Sequence, residues 1–155
     1  MIPKTTVFVF DALLACSIWV GKEASCMDLS RFHWKNRLLF IFAPQDGHPF
    51  SRALQSAIAL QQDEVSERDL IVFKIFETGP SLMGTQRLDS PTATATCNKF
   101  AAPRGRFTCI LVGKDGGVKL RRNVQTHSTD IFAPIDAMPM RQEEMRPKSP
   151  GKGLR

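Results

Sequence analysis

Residues 37–77, RLLFIFAPQDGHPFSRALQSAIALQQDEVSERDLIVFKIFE, carry the pattern that decides the fold. An apolar run at 37–43 shows no polar alternation, which predicts a strand buried on both faces, and residues 69–77 predict a second strand of the same type. The segment between them predicts an amphipathic helix that starts at Pro49 or Phe50. Its apolar residues recur at helical spacing: Phe50, Ala53, Leu54, Ala57, Ile58 and Leu60. A strand, a helix and a strand in this order predict a right-handed parallel unit.

The second half of the chain predicts an antiparallel pair of strands and further helices. Residues 78–89 read as a loop after the break at Gly79 and Pro80, and a helix is predicted from Ser90 through Lys99. Strands are predicted at 107–112 and 118–121, followed by a helix from residue 128 that residue 139 kinks or restarts. The order β-α-β-α-β-β-α predicts an α/β fold of the thioredoxin-like type, with a mixed four-stranded sheet and helices on both faces.

The turn between the last two strands, GKDGG at 113–117, combines lysine and glycine as phosphate-binding loops do. A phosphate loop needs G-x-x-x-x-G-K-[ST] between a strand and a helix. Here the lysine precedes the glycine pair and a strand follows. Asp115, Gly116 and Gly117 therefore predict a tight hairpin, and Lys119 and Arg121 should leave one face of its second strand.

Positive charge is concentrated in the last third of the chain. Residues 27–103 are balanced, whereas residues 104–155 carry eleven basic and five acidic side chains within a net charge of +6. This asymmetry predicts an anionic partner: a polysaccharide, a lipid headgroup or an acidic protein. A solubilising surface with a frayed tail is the alternative. The candidate binding residues are Lys114, Lys119, Arg121, Arg122 and Arg141. No nucleic-acid motif or aromatic-basic interleaving accompanies the charge, which argues against nucleic acid.

The N-terminal residues 1–27 resemble an export signal or a lipoprotein signal. An early lysine precedes an apolar run, which Asp11 interrupts, and the sequence LLAC at 13–16 offers Cys16 for acylation. We expect an extracytoplasmic protein, periplasmic or secreted, that contacts membrane only through this segment; an uncleaved or mis-started N-terminus is the alternative. Residues 28–146 form the predicted domain, and residues 147–155 a basic flexible tail.

The cysteines and histidines do not have the spacing of a metal site. Cys16, Cys26, Cys97 and Cys109 form no C-x-x-C pair, and the three histidines are scattered. We therefore expect no metal and no cofactor.

Four segments closely resemble a known family: FHWKNRLLFIFAP, ERDLIVFKI, FTCILVGKDGGVKLRR and IFAPIDAMPMRQEEMR. That family is domain of unknown function 4174, and the resemblance extends from about Leu29 to Met145. This family includes small exported bacterial proteins and domains of vertebrate secreted proteins such as coiled-coil-domain-containing protein 80 and the sushi-repeat-containing proteins. The resemblance implies a thioredoxin-like fold. It implies no established activity for bacterial members, and a link to extracellular matrix and adhesion for animal relatives.

Both parts of a dithiol active site are missing from the sequence. In a thioredoxin the reactive cysteine pair follows the first strand, where a helix N-terminus favours the thiolate; residues 43–49 contain no cysteine. The position of the facing cis-proline matches Arg106 and Phe107. Asp46 and His48 lie in this segment and are weak candidates for the catalytic residues of a hydrolase. A simple loop that leads into the helix explains both residues too. An atypical thiol peroxidase or oxidoreductase using Cys97 or Cys109 is the alternative function.

The segment IDAMPMR at 135–141 predicts a structural lock. Asp136 and Arg141 could pair with each other or with Lys114 and Asp115 of the hairpin, which would hold the last helix in place. Met138 and Pro139 lie between them and belong to the same predicted lock.

Overall fold

The computed structural model describes residues 27–147. Residues 1–26 of the predicted signal-like segment 1–27, with Cys16, and residues 148–155 of the predicted tail 147–155 lie outside these residues. Within 27–147, no helix has both the length and the apolar character needed to cross a membrane.

The described residues form one sheet and a set of surrounding helices. The strands are β1 (Arg37–Gln45), β2 (Leu70–Thr78), β3 (Ser81–Met83), β4 (Gln86–Leu88), β5 (Thr108–Val112) and β6 (Val118–Arg122). The α-helices are α1 (Pro49–Leu60), α2 (Gln62–Glu67), α3 (Ser90–Lys99), α4 (Ser128–Asp136) and α5 (Pro139–Met145), and residues Leu29–Phe32 form a 3₁₀ helix. The strand order across the sheet is β4-β3-β2-β1-β5-β6.

Strand β1 lies inside the sheet between β2 and β5, and its side chains are covered on both faces. It pairs in parallel with β2, where Arg37 lies opposite Leu70, and antiparallel with β5, where Leu38 lies opposite Val112. Strand β5 continues into β6 through the predicted hairpin. The predicted thioredoxin-like α/β class is confirmed.

Within residues 27–147 the sheet has six strands rather than the predicted four. The additional strands β3 and β4 lie in the segment predicted to be a loop, and Met83 of β3 pairs with Phe73 of β2. Each added strand has three residues, which is too short to show alternation in the sequence. The Ser81 hydroxyl oxygen accepts a hydrogen bond from the Phe76 backbone N–H at 3.0 Å, which fastens the start of β3 to β2.

The two faces of the sheet carry separate apolar cores, so the predicted placement of helices on both faces is confirmed. One core joins the sheet to α1, α2 and α4, and its most buried members are Leu39, Ile41, Leu54, Leu111, Ile131 and Ile135. The other joins the sheet to α3 and the 3₁₀ helix, and its centre is aromatic: Phe32, Phe40, Phe42, Phe73 and Phe100.

The helical segments also follow the sequence closely. The segment after β1 divides at Gln61, whose φ of −120° and ψ of 42° end α1 before α2 begins. Helix α4 ends at Asp136, and α5 starts at Pro139, as the prediction of a kink or restart at that proline requires.

Candidate functional site

An aromatic contact occupies the place where a thioredoxin would carry its reactive cysteines. His48 precedes the first residue of α1, and its ring lies nearly parallel to that of Phe107, with centroids 5.9 Å apart and an interplanar angle of 10°. Phe50 adds an edge contact to the His48 ring at 5.5 Å. No cis peptide bond occurs among residues 27–147. The loop after β1 therefore packs against the start of β5 through these rings.

Asp46 and His48 do not form a catalytic dyad in this arrangement. The Asp46 Oδ1 accepts a hydrogen bond from Gln55 Nε2 at 3.2 Å, and Nδ1 of His48 is buried without a hydrogen-bond partner among the described residues. A general base needs an orienting partner and a neighbouring nucleophile within hydrogen-bond reach. The two side chains lie on the same loop, but the geometry connects them to different neighbours.

Both described cysteines have thiols whose ionisation is suppressed. Burial raises the pKa of Cys97, the Glu77 carboxylate raises it further, and Arg104 lowers it in part. Burial raises the pKa of Cys109 to about 12. Both thiols are free, and Cys109 is the second residue of β5 and has no exposed surface. Because the thiolate is the nucleophile, neither cysteine has the environment of a reactive one.

We expect both thiols to resist iodoacetamide in the folded protein near neutral pH. For Cys109, a rise from 9.0 to about 12 lowers the thiolate fraction about a thousandfold, and burial blocks access as well. Peptide mapping by mass spectrometry after brief alkylation should find both residues unmodified, and the same treatment in denaturant should modify both. Rapid alkylation of Cys97 in the folded protein would contradict this assignment.

The hairpin between β5 and β6 is confirmed as a tight turn. The Gly113 backbone N–H donates to the Gly117 carbonyl at 2.9 Å, and Gly116 has a φ of +77°, a conformation that favours glycine. Asp115 accepts hydrogen bonds from the Gly117 backbone N–H and from Lys119 Nζ, at 3.1 and 2.6 Å. The hydrogen bond from Lys119 is the main reason why the pKa of Asp115 is lowered.

The predicted basic residues divide between two regions. Lys119, Arg121 and Arg122 lie on β6, the last strand at one edge of the described sheet. Arg121 Nη2 donates to the Phe100 carbonyl, and Arg122 is half-buried opposite Cys109. Lys114 and Arg141 are instead buried, and each of them forms ion pairs with neighbouring carboxylates. Neither side chain therefore belongs to an exposed basic surface.

The ion pairs of four buried basic residues form one group, which Arg141 and Glu144 connect and which we call the ion-pair cluster: Arg37, Arg68, Lys114 and Arg141 with Glu64, Glu67, Asp69, Asp136 and Glu144. Its first half joins the hairpin to α5 and β1. Lys114 Nζ lies 2.7 Å from Asp69 Oδ2 and 2.6 Å from Glu144 Oε1. The completely buried Arg37 donates to the two carboxylate oxygens of Glu144 at 3.2 and 3.3 Å.

The second half of the cluster joins α2 to the end of α4 and to α5. Arg68 forms a two-point contact with Asp136, at 2.9 and 2.7 Å, and also pairs with Glu64. The hydrogen bond to Asp136 is the main reason why the pKa of Arg68 is raised. Burial opposes the ionisation of Asp136, but Arg68 and Arg141 outweigh it, so the pKa of that carboxyl is lowered.

The lock expected around IDAMPMR has more members than the sequence indicated. Arg141 Nε lies 3.5 Å from Asp136 Oδ1, and Arg141 also pairs with Glu67. Lys114 contacts Glu144 of α5, whereas Asp115 pairs with Lys119. Met138 packs against the first core immediately before Pro139 opens α5. The sequence alone did not predict that Arg37 and Glu144 belong to this lock. For Arg37, the available signal was a charged residue at the start of an apolar strand.

A cavity of about 200 Å³ opens at the carboxyl end of β2. It lies between α3, β4 and the loop at 101–106, and Cys97 and Glu77 are among its lining residues. Three exposed arginines also line it: Arg87, Arg104 and Arg106. The residues from 27 to 147 contain no group of three or more His, Cys, Asp or Glu side chains placed to hold a metal ion.

The order of strands and the position of the β1–α1 loop define a thioredoxin-like domain with no cysteine in that loop. The chain belongs to the family described as "Domain of unknown function (DUF4174)", which matches residues 28–144.

Solved structures of peroxiredoxins resemble this fold. Thioredoxin peroxidase I from Plasmodium yoelii is 17% identical with a TM-score of 0.55, and the match covers 74% of this chain and 79% of that chain. The reduced 2-Cys peroxiredoxin from Plasmodium vivax is 16% identical with a TM-score of 0.53, covering 74% and 84% respectively. At these identities the likeness shows the fold alone.

Proposed function

We propose that this protein is a non-catalytic thioredoxin-like module that binds an anionic partner through strand β6. The observation that carries the proposal is the position of Lys119, Arg121 and Arg122 together on the outermost strand of the described sheet. Asp115 is the acidic side chain that pairs with one of them, so the strand keeps an excess of positive charge.

The edge position of β6 favours one of the three anionic partners over the others. An edge strand presents unpaired backbone N–H and C=O groups that an extended polypeptide can pair with. A polysaccharide or a lipid headgroup would use the charges but not this row of backbone groups. We therefore favour an acidic, extended segment of a partner protein, which would use both.

The absence of a reactive centre in the described residues supports a binding role over the thiol-dependent alternative. A peroxidase or oxidoreductase needs a thiolate, and the pKa values of Cys97 and Cys109 are both raised. His48 contacts Phe107 and Phe50, with no nucleophile hydrogen-bonded to it among the described side chains.

Binding of a polyglutamate peptide, measured by fluorescence anisotropy at low salt, tests the proposal. The variant Lys119→Gln/Arg121→Gln/Arg122→Gln should bind at least about tenfold more weakly, because charged hydrogen bonds and ion pairs across the edge are lost. Binding by the wild-type protein should also weaken as salt rises, since exposed charges are screened.

A second triple variant, Lys35→Gln/Arg52→Gln/Lys99→Gln, is the matched control because it removes the same amount of charge from exposed positions outside β6. It should retain the affinity of the wild-type protein within about twofold. Equal losses in the two variants would mean that only net charge matters. Undiminished binding by the β6 variant, or no binding by the wild-type protein, would rule out β6 as an acidic-peptide site.

A further inference from the structure

The cavity at the carboxyl end of β2 combines an apolar floor with a basic rim. Phe42, Ile75 and Ala93 line it and are buried members of the second core. Arg87 comes from β4, and Arg104 and Arg106 come from the loop that leads into β5. None of these three arginines forms an ion pair within residues 27–147, in contrast to the arginines of the ion-pair cluster.

The loop that carries Arg104 and Arg106 is fixed at several points. Ala101 adopts a φ of +46° after α3, and the Ala102 backbone N–H donates to the Cys97 carbonyl at 3.0 Å. Further along, the Gly105 backbone N–H donates to Glu77 Oε1 at 2.5 Å. The next strand is anchored by the buried Phe107. Because these contacts hold its backbone, the loop needs little backbone ordering when a ligand binds.

The charge around the cavity remains positive after Glu77 is taken into account. Glu77 is the one acidic side chain among the described lining residues, and one of its oxygens already accepts from Gly105. The lining therefore carries three arginines and one carboxylate. Guanidinium groups bind carboxylate and phosphate oxygens in paired hydrogen bonds, and small-ligand sites typically combine apolar walls with a few such polar groups.

We infer that this cavity is a binding site for a small organic acid. The apolar body of the ligand lies on the floor formed by Phe42, Ile75 and Ala93, and its carboxylate or phosphate group is bound by Arg104 and Arg106, with Arg87 opposite. This site is separate from β6 and does not depend on the function proposed above.

Titration of the ¹⁵N-labelled protein with benzoate, phenyl phosphate and benzamide, followed by NMR, tests this inference. Benzoate or phenyl phosphate should shift the amide signals of Cys97, Asn98, Ala102 and residues 104–106. The acid that binds more tightly shows whether the site prefers a carboxylate or a phosphate group. Benzamide has the same ring without the charge, and it should bind at least about tenfold more weakly because it loses the charged hydrogen bonds.

The variant Arg104→Gln/Arg106→Gln should weaken binding of the acids by at least about tenfold and leave the weak binding of benzamide unchanged. Lys35→Gln/Arg52→Gln removes the same charge from exposed positions outside the cavity and should leave the affinity within about twofold. Equal binding of benzoate and benzamide would overturn the inference. So would equal losses in the two variants, or no shift with either acid up to about 10 mM.

Discussion

Replacing Glu144 by glutamine is expected to lower the free energy of unfolding by about 3 kcal/mol, because it leaves buried positive charge without its counter-ion. Arg37 is completely buried, and Glu144 is the carboxylate that contacts both of its terminal nitrogens. Lys114 loses one of its two carboxylate partners in the same substitution. Glutamine keeps the size of the side chain, so the loss reflects charge rather than packing. Urea denaturation at neutral pH measures it.

The neighbouring residue supplies a matched control for this experiment. Glu143 lies on the same helix but pairs with the exposed Arg146, and both side chains are more than 60% exposed. Glu143→Gln should change the free energy of unfolding by no more than about 0.5 kcal/mol, as exposed ion pairs usually do. Equal effects of the two substitutions would show that the ion-pair cluster does not stabilise the fold.

The pH dependence of the Glu144 effect provides a second readout. Burial opposes the ionisation of Glu144, but Lys114 and Arg37 outweigh it, so the pKa of the carboxyl lies below its ordinary value of 4.5. A carboxyl with a lowered folded-state pKa stabilises the protein above its unfolded-state pKa, and this contribution disappears as the pH falls through the folded-state pKa. The difference between the wild-type protein and Glu144→Gln should therefore narrow below pH 4.5.

Replacing Phe40 by alanine is expected to lower the free energy of unfolding by about 4 kcal/mol. Phe40 lies in the middle of β1 with no exposed surface, and its ring centroid is 4.6 Å from Phe73 and 4.5 Å from Phe100. Removing the ring leaves a cavity where β1, β2 and the end of α3 meet. The rigid sheet backbone cannot collapse to fill that cavity. Thermal and urea unfolding both measure the loss.

Phe50→Ala is the corresponding control, because Phe50 is 37% exposed and lies at the rim of the other face. It should cost about 1 kcal/mol, since much less apolar surface returns to water. A double-mutant cycle between Phe40 and Phe73 should also show a coupling of about 1 kcal/mol. A cost for Phe40→Ala no larger than that for Phe50→Ala would contradict the placement of this ring at the centre of the core.

The central strands could be predicted from the sequence because burial on both faces produces continuous apolar runs. Residues 37–43 and 69–77 show such runs, and the structure places β1 and β2 there. The turn at Gly116 was predictable for a local reason, its glycine-rich composition. In contrast, β3 and β4 are held by pairing with β2 and by Ser81, and neither leaves a periodic signal.

The candidate sites were less predictable because they depend on contacts between distant residues. Arg37 and Glu144 are 107 positions apart, and no local pattern connects them. Lys114 looked like a surface charge because its partners Asp69 and Glu144 lie on other elements. Arg87 lines the cavity because it lies on β4. A prediction that residues 78–89 form a loop therefore does not predict the basic rim of the cavity.

The ion-pair cluster gathers at the amino ends of β1 and β2, whereas the arginine-lined cavity opens at their carboxyl ends. Arg37 of the cluster and Phe42 of the cavity lining are five residues apart on β1, which corresponds to about 17 Å. The ion pairs of the cluster and the arginines of the cavity rim therefore belong to different residues. Duplicated copies of such a chain could diverge in what they bind while sharing one melting temperature. A protein engineer could likewise substitute the arginines of the cavity rim while leaving the ion-pair cluster unchanged.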